Sequence, residues 1–184
     1  MNWNNHSALR GQHAFLSASK YHWVNYDAEK LESVYLNWMA IQRGTQLHDL
    51  AAQLIDLRQK LPRSRKTLNL YVNDGIGFKM KTEQPLFYSN NCFGTADSIC
   101  FRNNVLRIHD LKTGKTIASM RQLEVYAALF CLEYAEHPND IDIELRVYQQ
   151  DEVIVHNPEP EDILYIMEKI KDFDKRIENL KIKE

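Results

Sequence analysis

The dipeptide Asn103-Asn104 constrains this chain more than any other pair of residues, because it separates two stretches that both read as strands. Phe93–Phe101 (FGTADSICF) and Val105–Gly114 (VLRIHDLKTG) alternate apolar and polar side chains, and only Arg102 and the two asparagines lie between them. Asn tolerates the positive φ that a two-residue hairpin turn requires at both central positions. Once that turn closes, the register follows: Phe101 faces Leu106, Ile99 faces Ile108 and Asp97 faces Asp110. Lys112 shares the face of Asp110, since strand side chains repeat every two residues. Opposed strand residues hold their Cβ atoms roughly 4.5–5.5 Å apart, and like charges placed there destabilise a sheet. Two carboxylates at the end of an otherwise apolar face therefore call for a cation.

The flanking sequence frames this hairpin. From Gly44 to Arg58, Leu47, Leu50, Ala51, Leu54 and Ile55 form one apolar stripe at helical spacing. Pro62 ends it, and Ser64 is expected to cap a second helix running to about Lys79, weakened late by Gly75 and Gly77. Strands are expected over 84–89, 93–101 and 105–113, a helix over 118–135, strands over 141–149 and 152–156, and a helix over 161–181. Residues 1–43 are polar and aromatic and read as short helices. This order predicts a central mixed sheet flanked by helices, of α/β or α+β type. The 184 residues are expected to form a single domain, with an N-terminal helical and aromatic cap (1–43), a catalytic core (44–157) and a C-terminal helix (158–184). In that last helix apolar residues at 163, 166, 170, 173, 177 and 180 alternate three and four apart. Such a repeat suits either a coiled-coil seam, hence a homo-oligomer, or packing on the chain's own sheet.

Composition narrows the function classes. A formal net charge of −2 excludes a protein coated in positive charge, while leaving room for local basic patches. No apolar run is long enough to span a bilayer and the start lacks a secretory pattern, so a cytoplasmic protein without membrane partners is expected. Cys92, Cys100 and Cys131 form no C-x-x-C pair. They read as buried thiols rather than zinc or iron–sulfur ligands.

Mg²⁺ takes oxygen ligands and keeps several waters, so two carboxylates and one backbone carbonyl suffice to hold it. Asp97, Asp110 and the carbonyl of Leu111 fit that set, with Mn²⁺ as a substitute, and Lys112 stands where it could orient an attacking water. His48 lies at the border of the apolar stripe, beside Ala51 and Ala52, and suits either a metal ligand or a packed structural histidine. Gln122 and Tyr126 are spaced i, i+4 and share a helix face.

Read together, G-T-Q-L-H at 44–48, G-T-A-D at 94–97, D-L-K at 110–112 and Q-L-E-V-Y at 122–126 resemble the PD-(D/E)XK nuclease superfamily, and more closely its RecB-like exonuclease branch. The four motifs occur in that branch's order. The resemblance implies a restriction-endonuclease-like core and metal-dependent DNA hydrolysis in recombination, repair or phage DNA processing. It implies His48, Asp97 and Asp110 as metal ligands, Lys112 as the catalytic lysine, and Gln122 and Tyr126 as contacts to DNA or to that lysine. The cysteines of the Cas4-type members are absent, as is a helicase domain, so any unwinding is expected to come from elsewhere; a recombination partner protein is among the expected partners. An exonuclease acting at DNA ends is the leading expectation. A structure-specific or nicking endonuclease, a nuclease fold that binds DNA without cutting, and an unrelated α/β protein are the alternatives. Arg58, Lys60, Arg63, Arg65 and Lys66 form the densest basic cluster and, with Arg121, are the expected DNA contacts. Lys79, Lys81 and Lys115 are weaker candidates, and Tyr21, Trp23 and Tyr26 could stack on unpaired bases.

Overall fold

A computed structural model describes residues 5–9, 11, 14–114 and 118–182, so Lys115 falls outside the described residues. The chain divides into two compact units, Met1–Thr45 and Gln46–Glu184.

In the first unit, short 3-10 helices at Ser7–Leu9 and Ala18–Asn25 precede helix α1, Ala28–Asp56, which continues into the second unit. Here the structure corrects the expectation of short helices up to residue 43. Asp27 caps α1 by accepting the Lys30 amide at 2.8 Å, and neither Gly nor Pro lies between Asp27 and Gly44. The apolar residues of 28–43 form no single stripe, and none of these residues is buried, which is why periodicity concealed the helix. Phe15 meets Tyr35 edge-on at 5.0 Å, and Tyr35 stacks on Trp38 at 5.7 Å. Trp23 and Tyr26 line a cavity of about 540 Å³ with Phe15 and Trp38, whereas Tyr21 points out, 63% exposed.

The second unit is built on a five-stranded sheet in the order β1-β2-β3-β4-β5. Its strands are β1 Lys81–Ser89, β2 Cys92–Arg102, β3 Val105–Leu111, β4 Asp142–Gln149 and β5 Glu152–His156. β3 and β4 run parallel and every other pair is antiparallel, so the sheet is mixed. The β2–β3 turn has φ of 50° at Asn103 and 64° at Asn104, and Phe101 pairs with Leu106 and Ile99 with Ile108. The β4–β5 turn repeats the device, with φ of 52° at Gln150 and 62° at Asp151. β3 ends at Leu111, two residues earlier than its sequence pattern indicates; Lys112 continues only as far as donating its amide to the Tyr148 carbonyl at 2.9 Å.

Helices cover both faces of the sheet. On one, Ile99, Leu106, Ile108, Leu145 and Val147 pack against α3 (Arg121–Tyr134) and α4 (Pro160–Lys181) through Leu123, Ala127, Ile163 and Ile166. On the other, Leu111 and Tyr148 meet Tyr71 and Val72 of α2 (Thr67–Gly77) and Ala51, Leu54 and Ile55 of α1. α2 begins three residues after Ser64. Its first amide, that of Thr67, donates to the Asp151 carboxylate at 2.8 Å, so the cap comes from a distant turn. Gly75 stays helical because α1 packs on it: a Cβ there would stand 2.6 Å from Ile55 Cδ1. The seam of α4 splits between its two halves. Ile163, Ile166 and Met167 are buried on the sheet, whereas Phe173, Ile177 and Leu180 are exposed. All three cysteines are free thiols, with Cys100 and Cys131 buried. Among the described residues no helix is long and apolar enough to cross a membrane.

Candidate active site

Four elements of the second unit bring their side chains to the C-terminal end of β3. α1 contributes His48, β2 Asp97, β3 Asp110, and α3 Gln122 and Tyr126, while Lys112 lies just past the strand. The β2–β3 ladder closes at Ser98–His109, one step short of the aspartates. There Asp97 turns its carboxylate onto the main chain, Oδ2 accepting the Leu111 amide at 3.0 Å. The same oxygen lies 3.2 Å from His48 Nδ1. That hydrogen bond is the main reason the imidazole is held above its usual pKa; the nearby charges of Asp97 and Asp110 add to it and partial burial works against it.

Asp110 is 3% exposed. Its Oδ1 accepts from Lys112 Nζ at 3.0 Å, and Oδ2 is buried with no hydrogen-bond partner. Burial, followed by the Asp97 charge, pushes its carboxyl above the usual carboxylate range, and Lys112 pulls it back. Lys112 Nζ also donates to Gln122 Oε1 at 3.1 Å, and Gln122 Nε2 donates to Tyr126 Oη at 3.2 Å. Tyr126 in turn packs on Gly94, where a Cβ would come within 2.8 Å of its ring. The glycine of the G-T-A-D stretch thus makes room for the tyrosine that anchors Gln122, and Gln122 holds the lysine on the carboxylate.

Among the described residues, no three His, Cys, Asp or Glu side chains stand together as a ready-made metal cage. The donor chemistry nevertheless fits a hard, well-hydrated cation: two carboxylates, one with an orphaned buried oxygen, beside the Leu111 backbone.

The sequence reading missed Glu83. Its neighbours Thr82 and Gln84 pair with Ser98 and Ala96, which sets Glu83 across from Asp97. Its φ of 46° is left-handed, unusual for a non-glycine residue inside a strand. Partial burial and then the Asp97 charge push its carboxyl up, with His48 opposing them. No sequence signal marks it, because a lone Glu in K-T-E-Q-P looks like any exposed strand residue.

The basic cluster is spread out rather than focused. Arg58 ends α1 in a left-handed conformation, φ 54°, and shares a cavity of about 260 Å³ with Lys79 and Lys81. Lys60, Arg63 and Arg65 are exposed on a loop tied to α2 by the Asn73 and Asn69 side chains. Lys66 lines a cavity together with Lys112. Arg121 is committed to an ion pair with Glu124 at 2.8 Å.

No protein-family model matches the chain, and no curated protein or solved structure shows significant similarity to it.

Proposed function

We propose that the protein is a metal-dependent deoxyribonuclease that acts at DNA ends. The observation that carries this reading is a half-buried lysine paired with a buried carboxylate: Lys112 Nζ bridges Asp110 and Gln122 while Asp110 keeps one buried oxygen without a partner. A structural ion pair gains by satisfying both oxygens, since an uncompensated buried acceptor costs about 1–3 kcal/mol. An orphaned oxygen beside a second carboxylate is the pattern of a site completed by a ligand.

Asp97, Asp110 and the Leu111 carbonyl would hold Mg²⁺ or Mn²⁺, with His48 bonded to Asp97. A bound divalent ion supplies neutralisation of the scissile phosphate and a more acidic water. The protein's own groups do the rest. The Leu111 amide and His48 fix the Asp97 carboxylate, Gln122 and Tyr126 fix the Lys112 ammonium, and that ammonium orients the attacking water, whose proton passes to solvent. Arg58, Lys60, Arg63, Arg65 and Lys66 would neutralise backbone phosphates without reading sequence. The resemblance to RecB-like nucleases supports the same assignment and favours ends over internal sites.

The test is digestion of matched linear and covalently closed circular DNA, single- and double-stranded, with Mg²⁺ or Mn²⁺, with Lys112→Ala alongside. Loss of linear DNA alone, abolished in the variant, is the expected result. Cutting of closed circles would make the enzyme an endonuclease, and equal activity in Lys112→Ala would remove the mechanism.

A further inference from the structure

Lys112 has a second neighbourhood. Besides its bonds to Asp110 and Gln122, it lines a cavity of about 460 Å³, together with Leu47, Leu68, Leu111, Lys66 and Asp151. Small-molecule sites span roughly 300–1,000 Å³, so this volume is large enough for one nucleotide. Its walls combine three leucines with two lysines, one of them the catalytic candidate. Lys66 makes no ion pair among the described residues, unlike Lys112.

The walls are fixed before anything binds. Asp151 Oδ1 accepts both the Thr67 amide, at 2.8 Å, and the Thr67 hydroxyl, at 3.1 Å, locking the start of α2 to the β4–β5 turn. On the other side Gln149 Nε2 donates to the Gly114 carbonyl at 2.6 Å. Leu111 is part of the buried core and Leu68 packs against it.

We propose that this cavity receives the nucleotide adjoining the bond to be cut, its base against the leucines and its phosphate between Lys66 and Lys112. The inference rests on the nuclease reading and gives it a substrate class. A base seated there has left its stack and its partner. That costs a few kcal/mol in a duplex and least in DNA that is already single-stranded. The preferred substrate is therefore a single strand or a frayed end. Among the described residues no aromatic ring lines the cavity, so the base rests on the leucines, a contact every base can make, and the four bases bind with similar affinity.

The experiment titrates the full-length protein, in chelator, with dTMP, dAMP and inorganic phosphate, following the backbone amide resonances of Leu68, Gly114 and Asp151. Saturable shifts with both nucleotides, at affinities within about threefold, are expected, with little response to phosphate. Leu68→Trp, which fills the cavity, and Lys66→Glu, on its exposed rim, should each weaken binding by about tenfold, the effect of one good contact. Lys66→Glu perturbs only an exposed position and keeps the test decisive if Leu68→Trp folds poorly. Equal shifts with phosphate alone, or unmoved amides, would overturn the nucleotide site. Digestion with Mg²⁺ separates the two levels of inference. Wild-type cleavage with unchanged KM in both variants would remove the cavity from the mechanism and leave the nuclease. Nucleotide binding without cleavage of any DNA would leave a nucleotide site and remove the nuclease.

Discussion

Asp110 and His109 are neighbours on β3, both buried, each with one unpartnered side-chain atom, and they face opposite sides of the same sheet. Desolvation drives both towards neutrality, raising the carboxyl and lowering the imidazole, which is held down to about 3. Their surroundings then diverge. His109 faces Tyr148 Oη at 3.2 Å, that hydroxyl donates to Asp74 at 2.8 Å, and Arg146 closes on the same Asp74 oxygen. Phe78 lies edge-on to His109 and beneath the Arg107 and Arg146 guanidinium groups. These cations disfavour a charged imidazole, so His109 is a neutral strut joined through Nδ1 to the Tyr148–Asp74–Arg146 chain. Asp110 instead has a lysine on one oxygen and a second aspartate near the other charge, at the end of the sheet. Equal burial serves packing on one face and charge on the other, and the partners, not the burial, separate the two roles.

The comparison breaks most visibly at Lys112. Lys112→Ala should lower cleavage by about 10²–10³-fold, the range for removing one positioned cationic donor, with DNA binding largely retained. Unaltered turnover would make the Asp110 side as structural as the His109 side. Next in size is Gly94→Ala. The added Cβ displaces the Tyr126 ring and with it Gln122, and a misplacement of about 1 Å costs on the order of 10²-fold in rate. Tyr126→Phe should reproduce part of that loss, and Gly94→Ala kinetics matching wild type would show that Lys112 needs no such support.

On the opposite face the expected effects are on stability. An unfolded histidine binds its proton near pH 6.5, whereas His109 does so only near 3, so the unfolded state holds more protons between those values. The contribution of His109 is complete above about pH 6.5 and is lost as pH falls towards 3, with a slope approaching 1.4 kcal/mol per pH unit. Urea melts of wild type and His109→Gln in chelator would check this; parallel pH dependences would show that the imidazole titrates normally. The smallest effect belongs to the cap. Asp151→Ala should cost about 1 kcal/mol and expose the Thr67 amide to hydrogen exchange. Unchanged protection there would mean that water replaces the carboxylate without loss.

The β2–β3 hairpin was legible because Asn103 and Asn104 encode a backbone conformation that few other residues accept, and register then follows from a period of two. Five strands and three of the four α-helices likewise lie within a few residues of their sequence patterns. What escaped has a common cause, in that it depends on contacts distant in sequence. The cap of α2 is donated by Asp151, 84 residues away. Glu83 takes its place opposite Asp97 from the β1–β2 register, and its left-handed backbone leaves no compositional trace. The N-terminal half of α1 buries no side chain, so no stripe announced it. The role of Gly94 likewise needs the Tyr126 ring to be seen beside it.

The parallel pairing of β3 with β4 sets a timetable for the chain. Every side chain of the candidate site has been synthesised by Tyr126, yet Asp110 is held in the sheet by Val147 and the Lys112 amide by the Tyr148 carbonyl. A nascent chain emerging from the ribosome therefore carries all its chemistry before it owns the strand that aligns it. On the proposed function, hydrolytic competence would arrive only once residues near 149 have cleared the exit tunnel, and a truncated translation product ending before them would be inert towards DNA.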